Sequence, residues 1–399
     1  MIKKMSTPID LRIKSIEVKN FKSLVDFRLD LSKFSCLIGL NGSGKSTVLQ
    51  FIDFLAQLVR GNMSDWLEER GWKPRELRSK LVPRLLIHFS VIFENRHGVV
   101  AGRWDARYNP AIKRCIFERI DLFGYVLETS GGKATILIKK NKNVQKFREN
   151  DINFTYEGSI LSSLKEEWLT PSILACKRFF LNVESLETLT PERLRKRTRE
   201  ANGSLGHGGR NLSAFIYELG TARCVELKTK LAKCYPHLIR IFSKKLRSGW
   251  KQLRVIENYR TPLIQMGTDA AHINDGLLRV LAILAELASE HGFLLFDEIE
   301  NGVNPEMVEF IVDELVGARQ QILVTTHSPM ILNFLEDEIA KAGVIYLYKT
   351  KQGHTKSIPF FTIPSLKEKL QVMGPGEAFV DTELTKLAAE IGRMQKNGE

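Results

Sequence analysis

The stretch GLNGSGKS, residues 39–46, decides the fold because it matches the pattern G-x-x-x-x-G-K-[ST]. Its glycines let consecutive backbone N–H groups turn toward one anion, and the positive end of a following helix adds to the attraction. The buried-strand pattern FSCLI (34–38) precedes it and a helical pattern (46–59) follows it. In this context Lys45 is predicted to reach the β- and γ-phosphates of a nucleotide, and Ser46 to offer its hydroxyl to Mg²⁺. The alternative is a glycine-rich turn without a ligand.

Two carboxylates follow a second buried strand, FLLF (293–296), which runs directly into Asp297 and Glu298. A carboxylate at a strand end can hold Mg²⁺, and its neighbour can polarise an attacking water, so we assign these roles to Asp297 and Glu298 in turn. An ordinary solvated strand end is the alternative. His327 comes after the next helix and strand, where it could contact a γ-phosphate or its water, or serve a purely structural role.

A third candidate segment, Asn274 to Gly276, stands where the sequence predicts the start of a helix over 277–289. A short polar residue and a glycine at a helix start can bind an anion with backbone N–H groups. A plain helix cap explains the same residues equally well.

Buried strands and helices alternate at both ends of the chain, which predicts an α/β fold. The β-rich stretches within 81–160 predict a small sheet or meander, and 190–260 is predicted to be mostly helix. We therefore expect three parts. These are an N-terminal lobe (1–170), a helical, basic lobe (171–270) and a C-terminal half (271–399).

The composition predicts a folded protein of the reducing cytoplasm. Of the 399 residues, 43% are hydrophobic, which suffices for a buried core. No apolar stretch reaches about 18 residues without a charge, so we expect neither a membrane span nor a signal peptide. The five cysteines are scattered and form no CxxC pair, so neither a zinc hook nor a disulfide framework is indicated.

The net charge of +13 favours anionic partners, and its excess is concentrated. Residues 193–199 read RLRKRTR, and 221–260 carry 11 Lys and Arg against 2 Asp and Glu. Clustered cations can neutralise phosphates, so non-specific DNA contact through 193–199 and 221–260 is one interpretation. The alternatives are a solvated helical face and a surface for an acidic protein.

Six motifs, in this order along the chain, resemble those of a known class of ATPases. They are VKNFKSL (18–24), GLNGSGKST (39–47), GHGGRNL (206–212), INDGLLR (273–279), LLFDEIENGVNP (294–305) and VTTHSP (324–329). They resemble the ABC-type ATPase heads of the OLD-like and RecF-like group, within the wider SMC-type class of AAA family ATPases. The resemblance implies an ABC-type head with a mixed or parallel core sheet, an antiparallel β region and an inserted helical lobe.

The resemblance also implies which residues bind ATP and Mg²⁺. The Walker A residues that would bind ATP are Gly39, Asn41, Gly42, Ser43, Gly44, Lys45, Ser46 and Thr47. The signature residues that would contact ATP held by a second subunit are Asn274, Asp275 and Gly276. Asn274 stands where serine is usual, and no glutamine can be assigned to the Q-loop. Ser46 and Asp297 would be the Mg²⁺ ligands.

The remaining motifs would carry catalysis. Asp297 and Glu298 resemble Walker B, Asn301–Pro305 resembles the D-loop, and His327 resembles the switch histidine. Glu298 and His327 would therefore be the catalytic residues of an ATPase that forms ADP and phosphate. Because the signature of one subunit closes over ATP held by another, the resemblance implies a head-to-head homodimer or a higher homo-oligomer.

Differences between this sequence and related classes of ATPase exclude some of the possible roles. The sequence has no heptads for long coiled-coil arms, and no DxD motif follows His327, as a TOPRIM nuclease domain would require. Short ATPases of this kind resemble those of antiphage systems such as Septu, PARIS and retron-associated ATPases, which control a separately encoded nuclease or toxin. We therefore expect an ATP-driven switch in antiphage defence. The alternatives are a RecF-like repair ATPase and a slow-turnover scaffold that binds ATP and cages a partner.

Overall fold

The computed structural model describes residues 10–140, 143–187, 189–259, 265–384, 387, 390–392 and 394. The chain divides into two compact units. The first consists of residues 1–183, 341–363 and 383–399, and the second of residues 184–340 and 364–382.

The chain contains runs of consecutive strands as well as segments in which strands and helices alternate. The strands are β1 (Leu11–Lys19), β2 (Phe27–Asp30), β3 (Phe34–Ile38), β4 (Ile87–Asn95), β5 (Val100–Asn109), β6 (Arg114–Leu122), β7 (Tyr125–Ser130), β8 (Lys133–Lys140), β9 (Asn143–Asp151), β10 (Val183–Leu186), β11 (Leu238–Lys245), β12 (Lys251–Asn258), β13 (Gln265–Asp269), β14 (Phe293–Phe296), β15 (Gln321–Thr325), β16 (Val344–Lys349) and β17 (Thr355–Pro359). The helices are α1 (Lys45–Arg60), α2 (Met63–Glu69), α3 (Pro171–Leu181), α4 (Pro191–Leu194), α5 (Leu212–Leu231), α6 (Asp275–Leu287), α7 (Pro305–Val316), α8 (Pro329–Asn333), α9 (Asp337–Gly343), α10 (Pro364–Lys369) and α11 (Pro375–Val380). Among the described residues, no helix is both long and apolar enough to cross a membrane.

An antiparallel sheet dominates the first unit, with the strand order β2-β1-β4-β5-β6-β7-β8-β9. Helix α1 packs an aromatic cluster against it. The ring of Phe54 in α1 lies 5.0 Å from the ring of Tyr108 in β5, and the ring of Phe89 lies 5.0 Å from that of Trp104. Because these rings are almost fully buried, they anchor α1, and with it the loop that precedes α1, to the sheet.

The first unit also contains a short mixed sheet, in which β16 runs parallel to β3 and antiparallel to β17. All five residues of β3 are buried, as expected for a strand covered on both faces. Strand β3 therefore ends at a fixed point, and the GLNGSGKS loop begins there.

In the second unit, β14 and β15 pair in parallel, with Phe296 opposite Val324. Both strands are fully buried, and both end at the same edge of the sheet. The parallel register therefore brings Asp297 and Glu298, which follow β14, beside the end of β15.

The structure confirms an α/β fold with antiparallel and mixed sheets, including a β-rich region over 81–160, but it corrects one expectation. Residues 190–260 are not mostly helix, because β11, β12 and β13 form a three-stranded antiparallel sheet beside α5. The pairing of β11 with β12 shifts register between Leu238 and Arg240. Such a bulge interrupts the period-two alternation by which a strand is recognised in a sequence, so the pattern did not reveal β11. The inserted region contains both strands and helices.

Candidate nucleotide site

The loop after β3 has the backbone that a phosphate-binding loop requires. Gly39, Gly42 and Gly44 have φ angles of 148°, 76° and 110°, which residues with a side chain rarely adopt. At Gly39 an added Cβ atom would lie 2.3 Å from the carbonyl oxygen of Leu347 in β16. The loop therefore lies directly against the neighbouring strand and leaves no room for a larger residue.

The helix that follows places the predicted phosphate ligands. Helix α1 begins at Lys45, with Gly44 at its N-cap. The Lys45 ammonium folds back over the loop and donates hydrogen bonds to the carbonyl oxygens of Gly39 at 2.8 Å and Leu40 at 3.3 Å. Ser46 is exposed in the first turn, where backbone N–H groups lack helical partners. The predicted Walker A residues thus lie together at the start of α1.

The side chain of Ser43 shows that the loop has an unused hydrogen-bonding group that an anion could satisfy. Its Oγ atom is buried and has no hydrogen-bond partner in the part of the chain that the structure describes. Leaving a buried hydroxyl unpaired costs free energy, which a ligand would recover. With the Lys45 ammonium and the N-terminus of α1, this donor set suits a triphosphate.

Thr355, the first residue of β17, fixes the loop from the far end of the sequence. Its hydroxyl donates a hydrogen bond to the carbonyl oxygen of Ser43 at 2.9 Å, and lies 2.9 Å from the hydroxyl of Ser23. The Thr355 N–H donates to the Ser23 carbonyl oxygen at 2.9 Å. An added Cβ at Gly44 would lie 2.5 Å from the Thr355 hydroxyl. Sequence analysis missed this residue, because a single threonine carries no motif.

In the second unit, Thr325 holds the Walker B carboxylate in place. Its hydroxyl donates to Asp297 Oδ1 at 2.5 Å and accepts a hydrogen bond from the N–H of Glu298 at 2.9 Å. Thr325 is fully buried at the end of β15. Because the hydroxyl bridges two consecutive residues, it fixes the direction in which both carboxylates leave β14.

Glu298 and His327 lie close together beyond these strand ends. The distance from Glu298 Oε1 to His327 Nε2 is 3.5 Å, and both side chains are partly exposed. Asn301 donates a hydrogen bond to Glu298 Oε2 at 3.4 Å. Glu298 has a φ of 49°, in the left-handed region that a residue with a side chain rarely occupies. Backbone strain of this kind commonly marks a functional position, and here it falls on the predicted general base.

Glu300 orients the segment that carries the histidine. Its Oε1 atom accepts hydrogen bonds at 2.9 Å from the hydroxyl of Thr326 and from the N–H of His327. Thr326 is almost fully buried, so this contact anchors the loop after β15. Sequence analysis placed Glu300 between two motifs without giving it a role.

The residues predicted to form the signature, Asn274 to Gly276, lie at the start of α6. The side chain of Asn274 accepts a hydrogen bond from the N–H of Leu277 at 2.8 Å, so Asn274 is the N-cap of the helix. Asn274 and Asp275 are both exposed, and Arg195 pairs with Asp275. An added Cβ at Gly276 would meet no atom closer than 3.7 Å. The helix start is therefore not closely covered at Gly276.

The Ser46 hydroxyl and the Asp297 carboxylate suit Mg²⁺, which prefers oxygen ligands. Within the described residues, no group of three or more His, Cys, Asp or Glu side chains could hold a metal alone. Mg²⁺ in nucleotide sites usually takes one or two protein ligands together with phosphates and water, so each of these two groups is of a type that fits the ion. When bound, the ion would neutralise charge on the phosphates.

Two family profiles match the sequence. The family described as "AAA ATPase domain" matches residues 11–167, and the family described as "AAA domain, putative AbiEii toxin, Type IV TA system" matches residues 267–333. The first range contains the predicted Walker A loop. The second contains the segments predicted to be the signature, Walker B, the D-loop and the switch histidine. Among curated proteins, none matches the sequence.

Solved structures of similar fold are SMC heads. An SMC head bound to the C-winged helix domain of ScpA is 16% identical, with a TM-score of 0.54 over 90% of this chain and 99% of that one. An SMC head with an extended coiled coil, derived from Pyrococcus furiosus and bound to the C-terminal domain of ScpA, is 14% identical, with a TM-score of 0.52 over 90% of this chain and 100% of that one. Two AAA ATPase family models thus match two separate parts of the chain, and its fold is that of SMC heads.

Proposed function

We propose that this protein is an ATP-hydrolysing switch that dimerises head to head around Mg-ATP and controls a separately encoded effector. The observation that carries the proposal is the pair formed by Glu298 and His327, 3.5 Å apart and held by Thr325 and Glu300. An inactive nucleotide-binding fold would have no need of a carboxylate and an imidazole fixed together at the ends of two buried strands.

The arrangement suits water activation by Glu298. Its carboxylate is partly exposed and can accept a proton from water, while the hydrogen bond from Asn301 fixes its direction. The neighbouring His327 can donate a hydrogen bond to a phosphate oxygen or orient the water. Asp297 would hold Mg²⁺ with the Ser46 hydroxyl, and Lys45 would bind the β- and γ-phosphates.

Dimerisation is supported by the open start of α6. Asn274 uses its Oδ1 atom to cap the helix, which leaves its amide NH₂ group available to donate a hydrogen bond outward. A triphosphate held by a second copy is an anion of the kind that a helix N-terminus attracts. ATP would thus join two copies, and hydrolysis would release them.

Control of an effector in antiphage defence is supported by two comparisons. One matching family is described by reference to an AbiEii toxin and a toxin–antitoxin system. The SMC heads of similar fold are bound to another protein, ScpA. Co-expression with the product of the adjacent gene tests the role, and suppression of its toxicity that depends on Glu298 is the expected result. Rescue of a repair-deficient strain instead would favour the RecF-like alternative.

The steady-state rate of ATP hydrolysis tests the chemistry. Glu298→Gln keeps the size of the side chain but removes the base, so kcat should fall by about 100-fold or more while ATP still binds. Glu306→Gln, at an exposed position of α7, is the matched control and should leave the rate unchanged. Equal turnover by the Glu298→Gln variant and the unaltered protein would favour the slow scaffold instead.

A further inference from the structure

Two basic segments that are far apart in sequence meet at one hairpin of the second unit. Strands β11 and β12 are joined by a tight turn, closed by a hydrogen bond from Leu246 N–H to the Trp250 carbonyl oxygen at 2.7 Å. The N–H of Lys251 donates to the carbonyl oxygen of Thr198 at 2.8 Å. The end of the basic stretch 193–199 therefore lies beside the start of β12, next to the cations of β11 and the turn.

The cations at this tip lack acidic partners. Five exposed side chains have no carboxylate within ion-pair distance in the described part of the chain: Arg197, Arg199, Lys244, Lys245 and Arg247. Other cations of the same basic stretches are paired: Arg195 with Asp275, Lys230 with Glu314, and Arg254 with Asp269. Five exposed cations without a carboxylate partner thus lie together at the tip, where an external anion can approach them.

The strand pairing adds an independent sign of an anionic ligand. Lys245 in β11 lies directly opposite Lys251 in β12. Like charges at opposed positions of an antiparallel pair destabilise a sheet. The Lys251 ammonium donates to the Arg199 carbonyl oxygen, and phosphate groups bound at the tip would offset the repulsion that remains between the two lysines.

Trp250 places an aromatic ring among these cations. Its side chain is 40% exposed at the end of the turn, and the Arg199 guanidinium lies 5.1 Å from its ring centroid. A ring of this kind, with cations around it, is the combination by which proteins bind unpaired strands, since bases stack on the ring and phosphates contact the cations. Bases inside a duplex are already stacked on each other and leave such a ring unused.

We propose that the β11–β12 tip, defined as residues 244–251 together with 197–199, binds single-stranded nucleic acid, with a base stacked on Trp250 and phosphates on the five cations. The site goes beyond the ATP-dependent switch, because neither nucleotide nor a second copy contributes to it. An acidic protein would use the cations but would not require an exposed indole between them.

Fluorescence anisotropy with a labelled 20-nucleotide oligo-dT, the corresponding oligo-U and a blunt 20-base-pair duplex tests the proposal on the full chain without ATP. Trp250→Ala should weaken oligo-dT binding by about tenfold, while Trp250→Phe retains most of it, because stacking requires only an aromatic face. The duplex should bind more weakly than oligo-dT and should respond little to Trp250→Ala. Oligo-U binding as tight as oligo-dT would extend the site to RNA.

A second experiment reverses the charge of three cations at the tip and measures how binding depends on salt. The triple variant Lys244→Glu, Lys245→Glu, Arg247→Glu should reduce the magnitude of the negative slope of log affinity against log salt by about two, since about 0.7 counterion is released per contact on a single strand. The matched control reverses three exposed lysines elsewhere, Lys33, Lys351 and Lys367, and changes the net charge equally. ATP binding by every variant verifies folding. The proposal is overturned if Trp250→Ala leaves oligo-dT affinity unchanged, if the duplex binds as tightly, or if the control triple weakens binding as much.

Discussion

At the scale of single residues, Thr355 joins two distant parts of the sequence at one oxygen atom of the P-loop. Its buried hydroxyl bonds to the Ser43 carbonyl oxygen and contacts the hydroxyl of Ser23. Since P-loop geometry determines how backbone N–H groups meet a triphosphate, we regard Thr355 as a positioning residue for nucleotide binding.

Removing this hydroxyl should loosen the nucleotide. Thr355→Val is nearly isosteric and deletes one hydrogen bond, worth about 0.5–1.5 kcal/mol, so the Kd for ATP should rise about two- to tenfold. Thr355→Ser keeps the hydroxyl and should restore affinity. Isothermal titration calorimetry measures both constants, and equal Kd values for the Val and Ser variants would contradict the assigned role.

Glu118 in β6 is a second residue whose position has a consequence, here for the pH dependence of stability. It is fully buried, and accepts hydrogen bonds from the Ser159 hydroxyl at 2.5 Å and the Ile160 N–H at 2.7 Å. Burial raises its pKa from 4.5 to about 7, and these hydrogen bonds only partly oppose the shift. The folded chain therefore retains a proton on Glu118 over a pH range in which the unfolded chain has lost it.

The sign of the resulting pH dependence follows from this difference. The stability contributed by protonated Glu118 is fully present below pH 4.5 and is lost as pH rises to about 7. Relative to Glu118→Gln, which does not titrate, the free energy of unfolding should fall by up to about 3 kcal/mol over that range. Urea unfolding at pH 5 and pH 7.5 measures it, with the exposed Glu309→Gln as control. Parallel pH profiles for the unaltered protein and Glu118→Gln would refute the prediction.

At the scale of elements, α8 links His327 to the start of α11, where Gly374 is the N-cap and Pro375 and Gly376 are the first two helical residues. Helix α8 begins at Pro329, two residues after His327, and α11 packs against it. An added Cβ at Gly376 would lie 2.1 Å from Asn333 Oδ1 and 2.6 Å from the Pro329 carbonyl oxygen. The first turn of α11 therefore lies directly against α8, and Gly376 permits this close helix packing.

Filling this contact should both destabilise the unit and disturb catalysis. Gly376→Ala should cost about 1–3 kcal/mol by overpacking and should lower kcat, because α8 can yield only by moving the segment that bears His327. Gly374→Ala, whose added Cβ would meet nothing closer than 3.9 Å, is the control. Melting temperature and ATPase rate are measured together. An unchanged melting temperature for Gly376→Ala would show that α8 and α11 are not tightly packed.

Local patterns predicted the elements whose information lies in adjacent residues. The helix α1, the buried strands β3, β14, β15 and β16, and the start of α6 follow from short apolar runs, glycines and a cap. The sequence did not predict the sheet β11–β13, because a bulge interrupts the alternation of polar and apolar residues in β11. It did not predict the roles of Thr355 and Glu300, because these roles arise from contacts that only the folded chain creates. Thr355 and Ser43, for example, are 312 residues apart in the sequence.

At the scale of the whole molecule, the proposed dimer requires each copy to present both a P-loop and an open signature segment. Asn274 can serve both the helix and the dimer. Its Oδ1 atom caps α6, and its amide NH₂ group can contact a partner's nucleotide. Aspartate caps a helix as well as asparagine does, but it carries a negative charge and cannot donate.

Asn274→Asp should therefore abolish ATP-dependent dimerisation without weakening nucleotide binding by the monomer. In the Glu298→Gln background, which traps ATP, sedimentation velocity should give a dimer with Asn274 and a monomer with Asp. Asn274→Ser, which keeps both a cap and a donor, should restore the dimer. A dimer that persists with Asp at full occupancy of ATP would exclude this segment from the interface.

The bond between Thr355 and the P-loop also bears on the order of events during synthesis. A ribosome releases residues 39–47 long before it reaches β16 and β17, which supply the flanking strand and the pinning hydroxyl. At about 5–20 residues per second, the nascent chain spends many seconds with this loop unsupported. Stable nucleotide capture is thus deferred until β16 and β17 have been synthesised and have packed against the P-loop.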